Sequence, residues 1–426
     1  MQALLGGDYM RIDHIDIRNL RRFECFDGRF QPGFNVIIGE NGAGKTTLLT
    51  FLRRVLSAWS PTPERLVAPA DVRETLRVVE GAPTRLVHRP WVLGVEGVAF
   101  HGIPFSALDG DMDGSGMSLS ETAGPRTQRF HMEAEGNLDL PLPLLAYFSP
   151  WREPPRLRKP RINPAGAPRR LDGYVDAFDL HADFMDFASW FKGFEMQRIE
   201  DAKRVSAVEA VRSTVISCIP GCTDLRWIPV LNDIIVTIDG TTHLIWRLSD
   251  GFRTMLSLVG ELAWRAAVLN PAFGADVAKK ITGVVLIDEL DLHLHPRWQR
   301  RVVNDLRVAF PGVQFIATTH SPFVVQSMRP EEVTNLDHLA SLDFQRSSIE
   351  DIAETSMGVE DVQRSEKFEA MVTAAERYFA VLADQPASTK ETERLKAELD
   401  RLTEPFADNP AYVALLRSER AARGLG

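Results

Sequence analysis

The stretch Gly33–Leu52, GFNVIIGENGAGKTTLLTFL, combines three patterns that together decide the fold. Its first residues end in a continuous apolar run, which predicts a strand buried on both faces. A glycine-rich loop follows, and from Leu48 to Trp59 the apolar residues recur with helical spacing. The sequence therefore predicts an α/β protein in which a glycine-rich loop joins a buried strand to a helix.

The glycine-rich loop has the spacing G-x-x-x-x-G-K-[ST] and lies where that motif binds phosphate, between a strand and a helix. Glycines let backbone N–H groups turn toward phosphate oxygens, and the helix N-terminus adds about half a positive charge. Lys45 is expected to reach the β and γ phosphates of ATP, and the Thr46 hydroxyl to ligate Mg²⁺. A glycine turn that only caps a helix is the alternative. The predicted nucleotide-binding residues of the loop are Gly39, Asn41, Gly42, Gly44, Lys45, Thr46 and Thr47.

The composition is that of an ordinary globular protein. At 426 residues the chain is long enough for two or three domains, or for one domain with a large insertion, and 44% of its residues are apolar. It has no apolar run of about 18 residues, and its N-terminus breaks into charge before a signal-peptide core could form. A net charge of -9 argues against nonspecific coating of nucleic acid. We therefore expect a cytoplasmic protein with no membrane partner.

Changes in sequence texture predict four segments. From Pro61 to about Gly240, short apolar pieces alternate with Pro and Gly, which indicates an insertion. After about Asp343 the chain becomes polar and helical in pattern. The predicted division is 1–60 for the first part of the nucleotide-binding core, 61–240 for a β subdomain and helical insertion, 241–343 for the second part of the core, and 344–426 for a helical C-terminal region.

The stretch Leu248–Ala263, LSDGFRTMLSLVGELA, resembles the ABC-type signature LSGGQ at Leu248, Ser249 and Gly251. At the start of a helix, the Ser249 hydroxyl and the backbone at Gly251 can meet a γ phosphate. In ABC-type ATPases that phosphate belongs to the other subunit. The four residues LSDG, Leu248–Gly251, also make a good helix N-cap, which is the alternative interpretation.

Two further apolar strands end in residues suited to phosphate chemistry. The first, GVVLIDE, ends in Asp288 and Glu289, the Walker B form: Asp288 would orient magnesium and Glu289 would polarise the attacking water. The second, QFIATTHSPF, carries His320, which in ABC-type enzymes contacts the γ phosphate. The predicted catalytic residues are Lys45, Glu289 and His320, and the predicted magnesium ligands are Thr46 and Asp288.

Other metal sites are alternatives to this interpretation. Asp291, His293 and His295 lie close together in sequence, but a transition-metal site needs a third ligand and supporting partners that the sequence does not supply. The stretch Asp109–Glu121 begins like a calcium loop, yet its twelfth position is Ser120 instead of Glu. The three cysteines cannot form a disulfide framework and lack the paired spacing of a zinc site.

These motifs resemble the ABC-type ATPases of the SMC/RecF/OLD kind, in which N- and C-terminal lobes form one head. LSDGFRTMLSLVGELAWR and VVLIDELDLHLHPRWQRRVVNDLRVAFPGVQFIATTHSP are most similar to the AAA-family predicted ATP-binding proteins that include the ATPase subunit of Septu-type antiphage systems. The resemblance implies a P-loop NTPase fold with a mixed core sheet flanked by helices, an antiparallel β subdomain, a helical insertion and a helical tail. In the stretch DIRNLRRFECF the resemblance implies that Arg21 or Arg22 approaches the nucleotide phosphates, with an exposed basic strand end as the alternative. It also implies that His295 lies at the dimer interface.

By this resemblance the chain is expected to form a homodimer around two ATP molecules with Mg²⁺, and to regulate an effector, a nuclease. Whether it assembles further or contacts DNA directly stays open. A second acidic strand set after His320 is absent, so a nuclease domain of the OLD type is not expected. A DNA-repair or DNA-end-sensing ATPase is the alternative. A transporter subunit ranks last, because His295 stands where transporters carry aspartate.

Overall fold

The computed structural model describes seventeen ranges of the chain: residues 10–20, 23–57, 59–60, 91–98, 104–105, 108–110, 129–150, 169–179, 184–197, 202–231, 233–337, 344–345, 347–357, 373–375, 377–378, 381 and 390–403. By internal contacts the chain divides into two compact units, Met1–Gly358 and Val359–Gly426. In the second unit the longest described element is a helix, Lys390–Thr403, whose Leu395 and Leu399 side chains are buried.

The core of the first unit is a sheet in which every described pairing is parallel. Its strands are β3 (Phe34–Ile38), β7 (Leu144–Phe148), β11 (Gly283–Ile287), β12 (Val313–Thr318) and β13 (Val333–Asn335). They lie in the order β13-β3-β12-β11-β7. All residues of β3, β7, β11 and β12 are buried, as expected for parallel strands covered on both faces.

The helices of the first unit range from four to twenty residues in length. The labelled helices of eight residues or more are α1 (Lys45–Ser57), α2 (Phe184–Gln197), α3 (Ala202–Cys218), α4 (Asp250–Leu269), α7 (Val302–Ala309) and α9 (Ile349–Met357). Residues 129–136 are also helical. Short helices lie between them: α5 (Val277–Lys280), α6 (Pro296–Gln299) and α8 (Pro322–Val325). Helix α4 is buried over most of its length from Thr254 onward, which makes it a central element of the core.

Antiparallel strands form two sheets apart from the core sheet. One has the order β2-β1-β4-β5 with β6 paired to β4, and its strands are β1 (Arg11–Leu20), β2 (Phe23–Arg29), β4 (Trp91–Val98), β5 (Pro104–Phe105) and β6 (Leu108–Gly110). The other has the order β10-β9-β8, made by β8 (Cys222–Ile228), β9 (Asp233–Ile238) and β10 (Thr241–Leu244). The predicted α/β class is confirmed, with the parallel and antiparallel strands separated into different sheets.

Buried polar contacts join the C-terminal end of helix α4 to the segment that precedes strand β7. Asn270, at the C-terminal end of α4, accepts from the Leu142 backbone N–H and donates to the Leu142 carbonyl, both at 2.8 Å. Arg170 donates to the carbonyls of Leu269 at 2.7 Å and Ala134 at 2.6 Å. Buried backbone groups with such partners avoid the cost of desolvation, so this network fixes one end of α4 relative to the sheet.

In the described ranges, no helix is long and apolar enough to cross a membrane.

Candidate functional site

The phosphate loop leaves β3 and enters α1 through three glycines with positive φ. The φ values are 151° at Gly39, 84° at Gly42 and 99° at Gly44, a region that residues with a Cβ rarely adopt. A Cβ at Gly39 would also lie 2.8 Å from the Ala43 Cβ. The motif glycines are therefore required by the backbone path, which is the local reason for this sequence pattern.

Lys45 lies at the first position of α1, and its side chain is turned into the loop. Its Nζ donates to the carbonyl of Gly39 at 2.7 Å and to that of Glu40 at 2.8 Å, and the residue is 7% exposed. Thr46 and Asn41 are exposed beside it. The loop thus holds an ammonium group in its concave side, next to exposed polar groups at a helix N-terminus, where an anion is stabilised.

Asp337 contacts the phosphate loop from outside, a contact that the sequence analysis missed. Its Oδ2 accepts from the Glu40 backbone N–H at 2.5 Å, and it lies two residues beyond β13, the edge strand beside β3. The two residues are 297 positions apart, so no local pattern indicates the contact. Asp337 therefore fixes the first turn of the loop through a charge-assisted hydrogen bond.

The Walker B carboxylates follow β11, with Asp288 1% exposed and Glu289 partly exposed. Thr318, at the end of the neighbouring strand β12, joins them: its hydroxyl donates to Asp288 Oδ1 at 2.5 Å and accepts from the Glu289 N–H at 2.8 Å. Glu289 has a φ of 52°, which is uncommon for a residue with a Cβ and costs on the order of 1–3 kcal/mol. This backbone state, together with the Thr318 bond, sets the direction of the Glu289 side chain.

His320 follows β12 by two residues and is exposed. Its backbone N–H donates to Asp291 Oδ1 at 3.2 Å, and the Thr319 hydroxyl donates to the same oxygen. Asp291 is thus engaged in joining two strand ends. His295 caps helix α6, where its Nδ1 accepts from the Arg297 N–H at 3.2 Å.

Among the residues that the structure describes, no group of three or more His, Cys, Asp or Glu side chains could hold a metal ion. Asp291, His293 and His295, the alternative metal cluster, do not form such a group. The calcium-like stretch lies outside the described residues, except for Asp109 and Gly110 at the end of β6.

Two of the three cysteines are buried in the first unit. Burial raises the pKa of both the Cys218 and the Cys222 thiols to about 11. Both therefore stay protonated near neutral pH and are poor nucleophiles and metal ligands.

The signature segment begins helix α4, and Ser249 is its exposed N-cap residue. Within the described ranges its side chain makes no capping hydrogen bond, so the hydroxyl is not used for the N-cap role considered above. A Cβ at Gly251 would lie 2.8 Å from the His293 carbonyl oxygen, and the Phe252 ring packs edge-on against Trp298 at 4.4 Å between centroids. Gly251 is thus required by close approach to the turn that follows Glu289.

Strand order brings most of these residues to one edge of the core sheet. Because β3, β12 and β11 are parallel neighbours, the phosphate loop, His320 and the Asp288–Glu289 pair all lie at their carboxyl ends. The signature helix contacts the turn that leaves this edge. Arg21 lies outside the described residues.

A phosphate loop, two carboxylates and a histidine at the carboxyl edge of a parallel sheet define a P-loop ATPase. Two family profiles match the chain: "AAA domain" over residues 14–65, and "AAA domain, putative AbiEii toxin, Type IV TA system" over residues 239–326. The first segment contains the phosphate loop, and the second contains the signature, Walker B and His320. The chain is thus an ATPase, as the sequence predicts.

Curated relatives resemble this chain in sequence. The chain is 24% identical over 411 residues to the "Retron Vc95 probable ATPase" of Vibrio cholerae serotype O1 biovar El Tor, covering 80% of this chain and 76% of the relative. It is 28% identical over 207 residues to the "Septu protein PtuA" of Bacillus thuringiensis, covering 44% of this chain and 52% of that protein. The resemblance to Septu-type ATPases is confirmed, and the chain spans about half the length of the Bacillus relative.

Among solved structures, an SMC head bound to the C-winged helix domain of ScpA aligns with 78% of this chain and 95% of its own, at 15% identity and a TM-score of 0.42. The fold is therefore assigned from the strand order and the loop geometry of this chain.

Proposed function

We propose that this ATPase dimerises around two ATP molecules and that its nucleotide state switches a partner effector, a nuclease, in cytoplasmic defence against phage. The observation that carries the proposal is the arrangement of residues at the carboxyl edge of the core sheet. The hydrolytic residues Asp288, Glu289 and His320 lie on one side, and the exposed Ser249 begins a helix that contacts the turn following Glu289. An exposed hydroxyl and helix start suit a γ phosphate held by a second copy.

Each proposed residue has a role that its position supports. The loop amides and Lys45 would bind the phosphates, and Gly39, Asn41, Gly42, Gly44, Thr46 and Thr47 complete the predicted set. Glu289 would take a proton from the attacking water. The water oxygen would bond to the γ phosphorus while the bond between the γ phosphorus and the leaving ADP oxygen breaks. His320 would contact the γ phosphate. Arg21 stays in the proposal on its sequence position alone.

The residues present fit a magnesium ion. The Thr46 hydroxyl and the Asp288 carboxylate are hard oxygen donors, which magnesium prefers, and Asp288 is held in place by Thr318. When bound, the ion would neutralise phosphate charge. Asp288 and Thr46 would hold it directly or through water.

The relatives support the effector role, since their names are those of retron ATPases and of a Septu protein. We propose the four-part division 1–60, 61–240, 241–343 and 344–426, with the 61–240 segment as the route from nucleotide state to effector. The ATPase would act on the effector by changing its contacts with that partner when ATP is bound or hydrolysed.

The dimer is tested by sedimentation of Glu289→Gln, which should bind ATP but hydrolyse it slowly. We expect this variant to self-associate with ATP and Mg²⁺ and to stay monomeric with ADP. Adding Ser249→Arg should abolish self-association while leaving ATP binding to the monomer, because Ser249 would meet only the partner's nucleotide. A Glu289→Gln chain that binds ATP but stays monomeric would overturn the composite site.

The effector role is tested in cells that carry the gene with its native neighbours. Phage protection should be lost with Lys45→Ala and with Ser249→Arg, and should depend on a neighbouring nuclease gene. ATP-strengthened, salt-sensitive DNA binding by the chain alone would instead favour the DNA-repair alternative.

A further inference from the structure

Asp291 is the residue through which the Walker B turn contacts the strand end that carries His320. A single oxygen, Oδ1, accepts from the His320 backbone N–H at 3.2 Å and from the hydroxyl of Thr319, which is fully buried. Hydrogen bonds to a carboxylate are roughly twice as strong as those between neutral groups. Because Asp291 lies two residues after Glu289, one side chain connects the proposed base to the proposed phosphate-contacting histidine.

The same strand end is held from a second side by Gln299. Its Nε2 donates to the Leu294 carbonyl at 2.8 Å, and its Oε1 accepts from the Ser321 hydroxyl at 2.7 Å. The Ser321 N–H in turn donates to the Thr319 hydroxyl at 3.0 Å. The backbone on both sides of His320 is thus fixed, while the His320 side chain stays exposed to the site.

We infer that Asp291 is a positioning residue for ATP hydrolysis. It holds the His320 backbone in the position from which the His320 imidazole contacts the γ phosphate. This inference rests on the proposed function. It assigns to the Asp291 Oδ1 atom the role of accepting hydrogen bonds from Thr319 and His320, the two residues that follow β12. A misplacement of about 1 Å in a reacting group costs on the order of 100-fold in rate, so loss of this bond should show in turnover.

The test compares Asp291→Leu, which has a similar size and no acceptor, with Asp291→Asn, which keeps an acceptor oxygen. We expect Asp291→Leu to lower kcat by about 10- to 100-fold. The Kd of a fluorescent ATP analogue should change by less than about threefold, because the phosphate loop is untouched. Asp291→Asn should recover most of kcat. Asp276→Leu, at an exposed carboxylate paired with Lys280, is the control and should match the wild type.

A double-variant cycle separates positioning from general damage. In a His320→Ala background, Asp291→Leu should lower kcat no further, since it acts through His320. Equal fold-losses in both backgrounds would overturn the inference, and so would an unchanged kcat of Asp291→Leu in the wild-type chain. If Asp291→Leu does not fold, Thr319→Val removes one donor without changing the volume, and the same cycle with His320→Ala decides the question.

Failure of this inference is distinguishable from failure of the proposed function. If the wild-type chain hydrolyses ATP and dimerises but Asp291→Leu leaves kcat unchanged, only the positioning role is contradicted. A Glu289→Gln chain that binds ATP without dimerising contradicts the composite site, and the Asp291 cycle can still be measured on monomer turnover.

Discussion

Acidification is expected to destabilise the fold through His131, a buried histidine in the helical residues 129–136. The residue is 6% exposed, and its ring lies 5.9 Å from the Tyr174 ring. Burial lowers the pKa of His131 from 6.5 to about 4, because the charged imidazole would lose its hydration there. The folded chain therefore binds this proton less readily than the unfolded chain does.

The sign and size of the effect follow from linkage between proton binding and unfolding. The stabilisation from a neutral His131 is fully present above pH 6.5 and is lost progressively as the pH falls toward about 4. Within that window each pH unit removes up to about 1.4 kcal/mol from the free energy of unfolding. Between pH 7.5 and pH 5 the loss from this residue is about 2 kcal/mol.

Urea unfolding of the wild type and of His131→Gln, measured across that pH range, provides the test. The variant cannot take up the proton, so the wild type should lose about 2 kcal/mol more than the variant between the two pH values. His131→Phe, which keeps an aromatic ring beside Tyr174, should show the same reduced pH dependence despite its different packing. Parallel pH profiles for the wild type and both variants would refute the reasoning.

Three further predictions concern the site. Gly251→Ala places a Cβ 2.8 Å from the His293 carbonyl oxygen, so we expect the free energy of unfolding to fall by about 1–3 kcal/mol. ATP-dependent self-association, measured by sedimentation, should also be weaker. Asp337→Ala removes the acceptor of the Glu40 N–H and should raise the Kd of ATP by about 5- to 10-fold, measured by fluorescence titration, while Asp337→Asn recovers binding. Thr318→Val leaves buried polar groups without this partner and should lower kcat and thermal stability together, in ATPase and melting assays.

Much of the fold was predicted from the sequence because its signals are local. The apolar run before Gly39, the glycines of the loop and the helical spacing after Lys45 specify strand, turn and helix within about 20 residues. The ends of the GVVLI and QFIAT strands are equally local, and parallel neighbours necessarily place their carboxyl ends at one edge. The ATPase class and the α/β fold therefore needed no tertiary information.

What the sequence could not predict depends on contacts between residues far apart in the chain. The Asp337 bond to Glu40 spans 297 residues, and nothing near either position indicates it. Asp291 was considered as a metal ligand because its sequence neighbours are histidines, whereas its spatial neighbours are the donors that follow β12.

The sequence by itself predicted which residues carry phosphate chemistry, because the strand, loop and helix patterns around Lys45, Glu289 and His320 are formed by residues adjacent in the chain. Only the tertiary structure decided how those residues are held. Thr318, Asp291 and Asp337 act through single oxygens whose partners lie in segments that follow other strands, and hydrogen bonding depends on distances that the folded sheet alone sets.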